Sequence, residues 1–246
     1  MKVTLIHATP DAEDILIFTK QTRLEMKPEL MAEIRSWPYS KKLEELAYMS
    51  KTIPSSWEFA DLIFLIQDVT RAFTHQLVRT RTASFAQQTM RVLDMTGFDY
   101  ETGPTITDNP DNQAVYHYVM RAINMGYQTL IEQGAKAEDA RGILPTNIHT
   151  NIVMKLNLRS FVDLVRARSS GRVQGEYANV LKQMVSVTKE QWPWIDLFLS
   201  PQMLEAKERI NRYLKEQLDL EIQTKSGLKP NETKAWSVMK DLDLIK

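Results

Sequence analysis

No cysteine occurs anywhere in the chain, and that absence excludes disulfides, thiolate metal ligands and every mechanism that needs a cysteine nucleophile. Histidine is nearly as scarce. The four, at positions 7, 75, 117 and 149, include no pair at helical ligand spacing with a carboxylate partner, so no protein-ligated catalytic metal is expected. An excess of one charge sign is also missing. Thirty-one lysines and arginines balance 31 aspartates and glutamates, so no global basic field calls for nucleic acid, and an anion site has to be local. No stretch reaches the roughly 18 apolar residues of a membrane span. The opening MKVTLIHATPDAED has too short an apolar run for a signal peptide and no small-residue cleavage site. A cytosolic protein without a membrane partner is therefore expected. At 246 residues the chain can bury a substantial core. It shows no internal repeat, low-complexity tract or clear boundary, and it reads as a single domain, 1–246, with 220–246 as a polar tail.

What the chain does have is arginine concentrated in one place. The stretch RAFTHQLVRTRTASFAQQTMR carries arginines at 71, 79, 81 and 91, interleaved with Gln76, Ser84, Gln87, Gln88 and Thr89. Its opening reads as a helix with a basic end. Its close reads as a strand, because Gln87, Thr89 and Arg91 alternate with Gln88, Met90 and Val92. A single arginine there would answer the helix dipole. Four arginines among so many polar donors suit an anion, since guanidinium groups fork onto phosphate or carboxylate oxygens.

The remainder reads as scaffold. Val3 to Ala8 predicts a strand, followed by a helix with Thr9 as its cap and Pro10 at its first position. Helices are expected from Glu29 to Ser36 and from Ser40 to Tyr48. The run Leu62 to Ile66 predicts a strand buried on both faces. A loose connection spans about 95 to 111. A long amphipathic helix then runs from Asn112 to Gly134, its aromatic and methionine residues assigned to the core. A short helix, Ala137 to Gly142, carries Arg141. His149 to Asn157 predicts a strand and Leu158 to Arg168 a helix, in which Arg159 and Asp163 sit at ion-pair spacing. After Ser169-Ser170-Gly171 a further helix starts near Arg172. Trp192 to Phe198 and a helix from Pro201 to Gln217 suit packing and subunit contacts, and Trp236, Val238 and Met239 are placed to tie down the tail.

Two segments resemble one family. RTRTASFAQQTMR is similar to the signature of the flavin-dependent thymidylate synthases, which reads arginine, histidine, arginine, seven variable residues, serine, and an arginine two places on. ARGILPTNIHTNIVMKLNLRSFVDLVRARSSGRVQGEY, from Ala140 to Tyr177, resembles the family's later block. That block has an alanine-arginine pair, a leucine-proline, an asparagine two residues before an arginine, and a late arginine followed by glutamine. The resemblance implies an α/β (α+β) fold, a central sheet flanked by helices, in a homotetramer whose sites lie at subunit interfaces. It implies FAD as cofactor, with NADPH and methylenetetrahydrofolate as co-substrates and a pyrimidine nucleotide, dUMP or UMP, as acceptor. Residue by residue, Arg79, Thr80, Arg81, Asn157, Arg159, Asp163 and Arg172 match flavin positions. Gln76, Gln87, Gln88, Thr89, Arg91, Arg141 and Arg168 match positions around the nucleotide, and Arg168 takes the place that polarises the uracil ring. The other class of thymidylate synthase relies on a cysteine nucleophile, which this chain lacks.

Three positions depart from the pattern. Thr80 replaces the central histidine of the signature, Thr89 its serine, and Ile53 an upstream histidine ahead of Glu58. Thr89 keeps the hydroxyl, whereas Thr80 and Ile53 lose an imidazole. Asp163 adds negative charge where a neutral amide is usual, and Arg172 adds positive charge nearby. Thymidylate synthesis remains the first expectation. Methylation or hydroxymethylation of another pyrimidine nucleotide (UMP, dUMP or dCMP) and a non-catalytic flavin- or nucleotide-binding protein are the alternatives.

Overall fold

The structure, a computed structural model, describes residues 1–25, 27–168, 175–200, 210, 213–215, 217–218, 230 and 233–241. Arg172 and most of the expected helix from Pro201 to Gln217 lie outside them. The chain divides into two compact units, Met1–Ile195 and Asp196–Lys246.

The first unit is built on a four-stranded sheet in the order β1 (Lys2–Ala8), β2 (Asp61–Thr70), β4 (His149–Asn157), β3 (Ser84–Gln87), with every pair antiparallel. The fold class is thus α+β. The register sets Leu62, Phe64 and Ile66 opposite Leu156, Met154 and Ile152, all essentially buried. Phe64 stacks on Phe161 of α8 (Leu158–Arg168) with ring centroids 5.7 Å apart. The alternate residues Ile63, Leu65, Val153 and Lys155 are only half-buried. Burial of β2 on both faces is therefore corrected. The pleat sends successive side chains to opposite faces, and among the described residues one face of β2 and β4 is buried while the other stays partly open.

Thr9 does not cap the first helix either. Its hydroxyl accepts from Asp61 N–H at 2.8 Å, and its own N–H donates to Asp61 C=O at 3.0 Å, extending the β1–β2 ladder. The helix α1 (Ala12–Gln21) starts after Asp11, which adopts a left-handed conformation at φ 50°. It packs with α2 (Leu30–Arg35) and α3 (Tyr39–Thr52). Between α1 and α3, Lys42 Nζ lies 2.6 Å from the nearly buried Asp14 carboxylate.

After β2 the chain enters α4 (Arg71–Leu77) and then β3, which ends at Gln87. The strand expected over 87–92 is shorter and earlier than its alternation suggests. Beyond Ile152 the β4 backbone is taken by another segment: His149 N–H donates to Asp99 C=O at 2.9 Å, and Glu101 N–H to Asn147 C=O at 3.0 Å. Gln88 N–H still donates to Asn151 C=O at 2.9 Å, but residues 89–93 have no further ladder to join.

The loose segment holds α5 (Pro104–Thr107) and leads to α6 (Pro110–Glu132), capped by Asn109 Oδ1, which accepts from Asp111 and Asn112 N–H. Of the apolar residues assigned to the core of α6, Met120 and Tyr127 are buried, but Val115, Tyr118, Val119 and Met125 are exposed. Helices α7 (Ala137–Ala140) and α9 (Gly175–Gln191) complete the frame of the site. In the second unit, Thr233 Oγ1 accepts from Trp236 N–H at 3.1 Å at the start of the helix Lys234–Asp241, in which Met239 is buried and Val238 exposed.

Candidate active site

The site begins where β2 becomes α4. Thr70 is the N-cap, its hydroxyl accepting from Phe73 N–H at 3.0 Å. The Glu176 carboxylate, in the first turn of α9, accepts from Thr70 N–H at 2.7 Å and from its hydroxyl at 2.6 Å. A charged acceptor with two donors holds this junction tightly. It also aims the next residue, Arg71, whose N–H donates to Ile148 C=O at 3.1 Å and whose Nη1 lies 3.4 Å from Gln88 C=O. Burial, and then the neighbouring Arg141 guanidinium, push Arg71 below the ordinary arginine pKa.

Arg91 and Arg141 complete the group. Arg91 Nε reaches the Glu138 carboxylate at 3.2 Å, and Arg141 Nε donates to the Glu138 C=O at 3.1 Å. Among the described residues Glu138 supplies the only carboxylate paired with these three guanidinium groups. Like charges gathered with one counter-charge make an anion cradle. Gln88 is held in it by Asn151, which donates to its Oε1 at 3.0 Å, and Thr89 turns the chain by accepting from Arg91 N–H at 3.1 Å. Gln87 faces away, donating to Thr74 Oγ1 at 3.0 Å.

A second cluster forms around Tyr177. The Arg168 guanidinium sits 5.1 Å from the centroid of the Tyr177 ring, and that ring meets Phe73 edge-on at 5.1 Å. Tyr177 is 1% exposed. Its hydroxyl stands beside Thr80 and Arg168 but makes no hydrogen bond of acceptable geometry, and burial raises its pKa above the ordinary 10. Gln76, Arg79, Thr80 and Arg81 follow on the end of α4 and the turn after it. Arg79 and Arg81 are exposed, with no carboxylate against either among the described residues.

The remaining flavin positions are elsewhere. Asn157 Oδ1 accepts from Ser160 N–H at 2.9 Å and so starts α8, while Arg159 pairs with Glu58 at 2.7 Å. The Arg159–Asp163 pair suggested by spacing is thereby replaced. Glu58, in the turn that precedes β2, competes successfully, and Asp163 is left exposed. Ile53, at the end of α3, is half-buried. β4 separates Asn157 from the Arg71 end by about 27 Å, at roughly 3.4 Å per residue.

One chain therefore brings together Arg71, Gln88, Thr89, Arg91 and Arg141, and separately Thr80 and Arg168. It does not bring Asn157, Arg159 or Asp163 to either group. Arg71, Glu138, Glu176 and Tyr177 were not assigned to the site from the sequence. For Arg71 a signal exists, since it lies at a strand-to-helix junction, where backbone and side-chain donors converge. For Tyr177 none does, because its contacts to Phe73 and Arg168 cross between separate helices.

The fold is α+β, and it gathers a cluster of arginines with the chemistry to receive an anion. Residues 4–194 match the family described as thymidylate synthase complementing protein, and the chain belongs to that family. It is similar to the flavin-dependent thymidylate synthase of Geobacter sulfurreducens, 29% identical over 199 residues covering 79% of this chain and 85% of that protein. With the enzyme of that name from Clostridium tetani it shares 28% identity over 221 residues, 82% of this chain and 87% of the other. A third relative so named, from Nitratidesulfovibrio vulgaris, is 37% identical over 144 residues, which cover 55% of this chain and 59% of that protein.

Proposed function

We propose that this protein transfers a one-carbon unit from methylenetetrahydrofolate to C5 of dUMP, using FAD reduced by NADPH, as a cytoplasmic homotetramer with sites at subunit interfaces. The observation that carries this reading is the cluster of Arg71, Arg91 and Arg141, with Glu138 on Arg91 as its one paired carboxylate among the described residues, together with a separate, half-exposed Arg168 seated on the Tyr177 ring. A nucleoside monophosphate brings a dianion and a polarisable ring, and these two clusters offer one arginine-rich partner to each.

The donor set also fits FAD. Arg79 and Arg81 flank a turn, have no carboxylate against them among the described residues and present only donors, as a pyrophosphate requires. When bound there, FAD supplies the reducing equivalents that take the transferred carbon to the methyl level, and NADPH restores them. The chain's own residues orient and polarise. Arg91 and Arg141 neutralise the phosphate and fix the nucleotide, and Thr89 offers a hydroxyl. Arg168 stabilises the negative charge that builds on the uracil ring as C5 becomes nucleophilic and gives up its proton. Without cysteine, activation is electrostatic and not covalent.

The interface assignment is supported by the gap of about 27 Å along β4 between Asn157 and Arg159 and the arginine cradle. One chain offers the two ends too far apart for a nucleotide and its reductant to react. The exposed apolar side chains of α6 are available for burial between subunits.

The test is direct. Purified protein is expected to carry an FAD spectrum and, given methylenetetrahydrofolate and NADPH, to convert dUMP to a product heavier by one methyl group. Offering UMP and dCMP in parallel, with product masses read, reveals a ribonucleotide substrate or a hydroxymethyl product. A protein that takes up no FAD overturns every catalytic reading. Arg91→Ala and Arg141→Ala are each expected to weaken dUMP binding tenfold or more, about 1.4 kcal/mol, with flavin retained. Unchanged affinity in both removes the phosphate assignment.

A further inference from the structure

Arg168 is the last described residue of α8, and its long side chain makes no ion pair there among the described residues. Left to itself, such a side chain samples many rotamers, an entropy of about 2 kcal/mol. Yet the guanidinium is seated over one surface, the Tyr177 ring at 5.1 Å. An aromatic face attracts a cation without neutralising it. A carboxylate in the same place would hold the arginine equally well and cancel the charge that it has to offer.

Tyr177 is itself fixed from two sides. Its ring takes the edge of Phe73 at 5.1 Å, and its neighbour Glu176 accepts two hydrogen bonds from Thr70, the residue that caps α4. Thr70 in turn accepts from Phe73 N–H at 3.0 Å. The chain of contacts Thr70, Phe73, Tyr177, Arg168 therefore ties the end of α8 to the start of α4, the helix that carries Gln76 and leads to Arg79. Thr80 stands against the same phenol.

We propose that Tyr177 is the positioning residue for Arg168, its ring being the platform that sets the guanidinium relative to the α4 end of the site. The proposal rests on the reading that Arg168 acts on the nucleotide ring, but part of its test does not. The ring is the working part, so Tyr177→Phe preserves the function and Tyr177→Leu removes it.

Five variants of the whole chain, loaded with FAD, are compared, Arg168→Ala among them as the parent of the double variant. Tyr177→Leu is expected to lower kcat at least 30-fold, with dUMP KM changed less than fivefold, and Tyr177→Phe to stay within threefold of wild type in both. In an Arg168→Ala background, Tyr177→Leu is expected to add less than a twofold further loss, because a residue that acts through another has nothing left to act on. Phe73→Leu loosens one support of the ring but leaves the aromatic face that seats Arg168, and is expected to cost less than tenfold. Independently of turnover, modification of Arg168 by phenylglyoxal, followed by mass spectrometry, is expected to run about threefold faster in Tyr177→Leu than in wild type or Tyr177→Phe. Should Tyr177→Leu fail to fold, Tyr177→Met keeps the volume without the aromatic face and takes its place. Additive losses in the double variant, an equal loss in Phe73→Leu, or unchanged Arg168 modification each overturn the proposal. Absence of one-carbon transfer in wild type, with the modification rates still shifted, overturns the functional reading instead.

Discussion

Glu138 is the residue whose chemistry runs against the cradle it belongs to. Its carboxylate reaches Arg91 at 3.2 Å, with the arginine side chain 67% and the glutamate 39% exposed. A pair so open to water is worth about 0–1 kcal/mol. Binding a phosphate on Arg91 has to displace or share that carboxylate. Glu138→Gln is expected to tighten dUMP binding by up to about fivefold, which corresponds to 1 kcal/mol, and to leave thermal stability unchanged. Calorimetric titration checks this, and weaker binding would show that Glu138 orders Arg91 and does not compete for it. Tyr177 gives a pH signature at the same scale. Burial raises its folded pKa above 10, so between that ordinary value and the raised one the unfolded chain is deprotonated while the folded chain is not. Stability from this source is complete below pH 10 and falls as pH rises beyond it. A denaturation series at alkaline pH should show a shallower fall in Tyr177→Phe than in wild type.

At the scale of elements, α1 and α3 are joined by a charge pair with little access to water. Lys42 of α3 and Asp14 of α1 are 2.6 Å apart, with side chains 11% and 6% exposed. Lys42→Ala leaves that carboxylate buried without its counter-ion and is expected to cost about 3 kcal/mol, read from urea unfolding. Lys42→Met with Asp14→Leu should recover most of it, and failure to recover would mean that packing, not charge, sets the cost. The elements themselves were largely legible. β4 and α8 follow the sequence signal to the residue, because β-rich alternation passes straight into an amphipathic helix at Asn157, whose side chain also supplies the cap. β3 was misplaced because strand residues exist only where a neighbour has free backbone groups, and the segment around Asp99 had taken them.

The whole molecule raises the question of assembly. Val115, Tyr118, Val119 and Met125 leave an apolar stripe uncovered on α6, while Arg159 and the arginine cradle stand at opposite ends of β4. If sites are shared between chains, mixing Arg91→Ala and Arg159→Ala proteins under conditions of subunit exchange should restore activity well above either parent. Activity no greater than the mean of the two would argue for sites contained in one chain.

Some of this was determined by the sequence alone. The absence of cysteine excludes a cysteine nucleophile, and the arginines with their polar neighbours predict a place for an anion, because composition and local spacing are properties of the chain before it folds. Pairing across long separations is not. Arg159 chose Glu58, 101 positions away, over Asp163, four positions away. Arg71 joined Arg141, and Tyr177 came to lie beneath Arg168, because the antiparallel order of the sheet and the clamp between Glu176 and Thr70 brought those helices together. Only the tertiary structure decides such contacts, since their energies depend on which surfaces the packed core leaves facing one another.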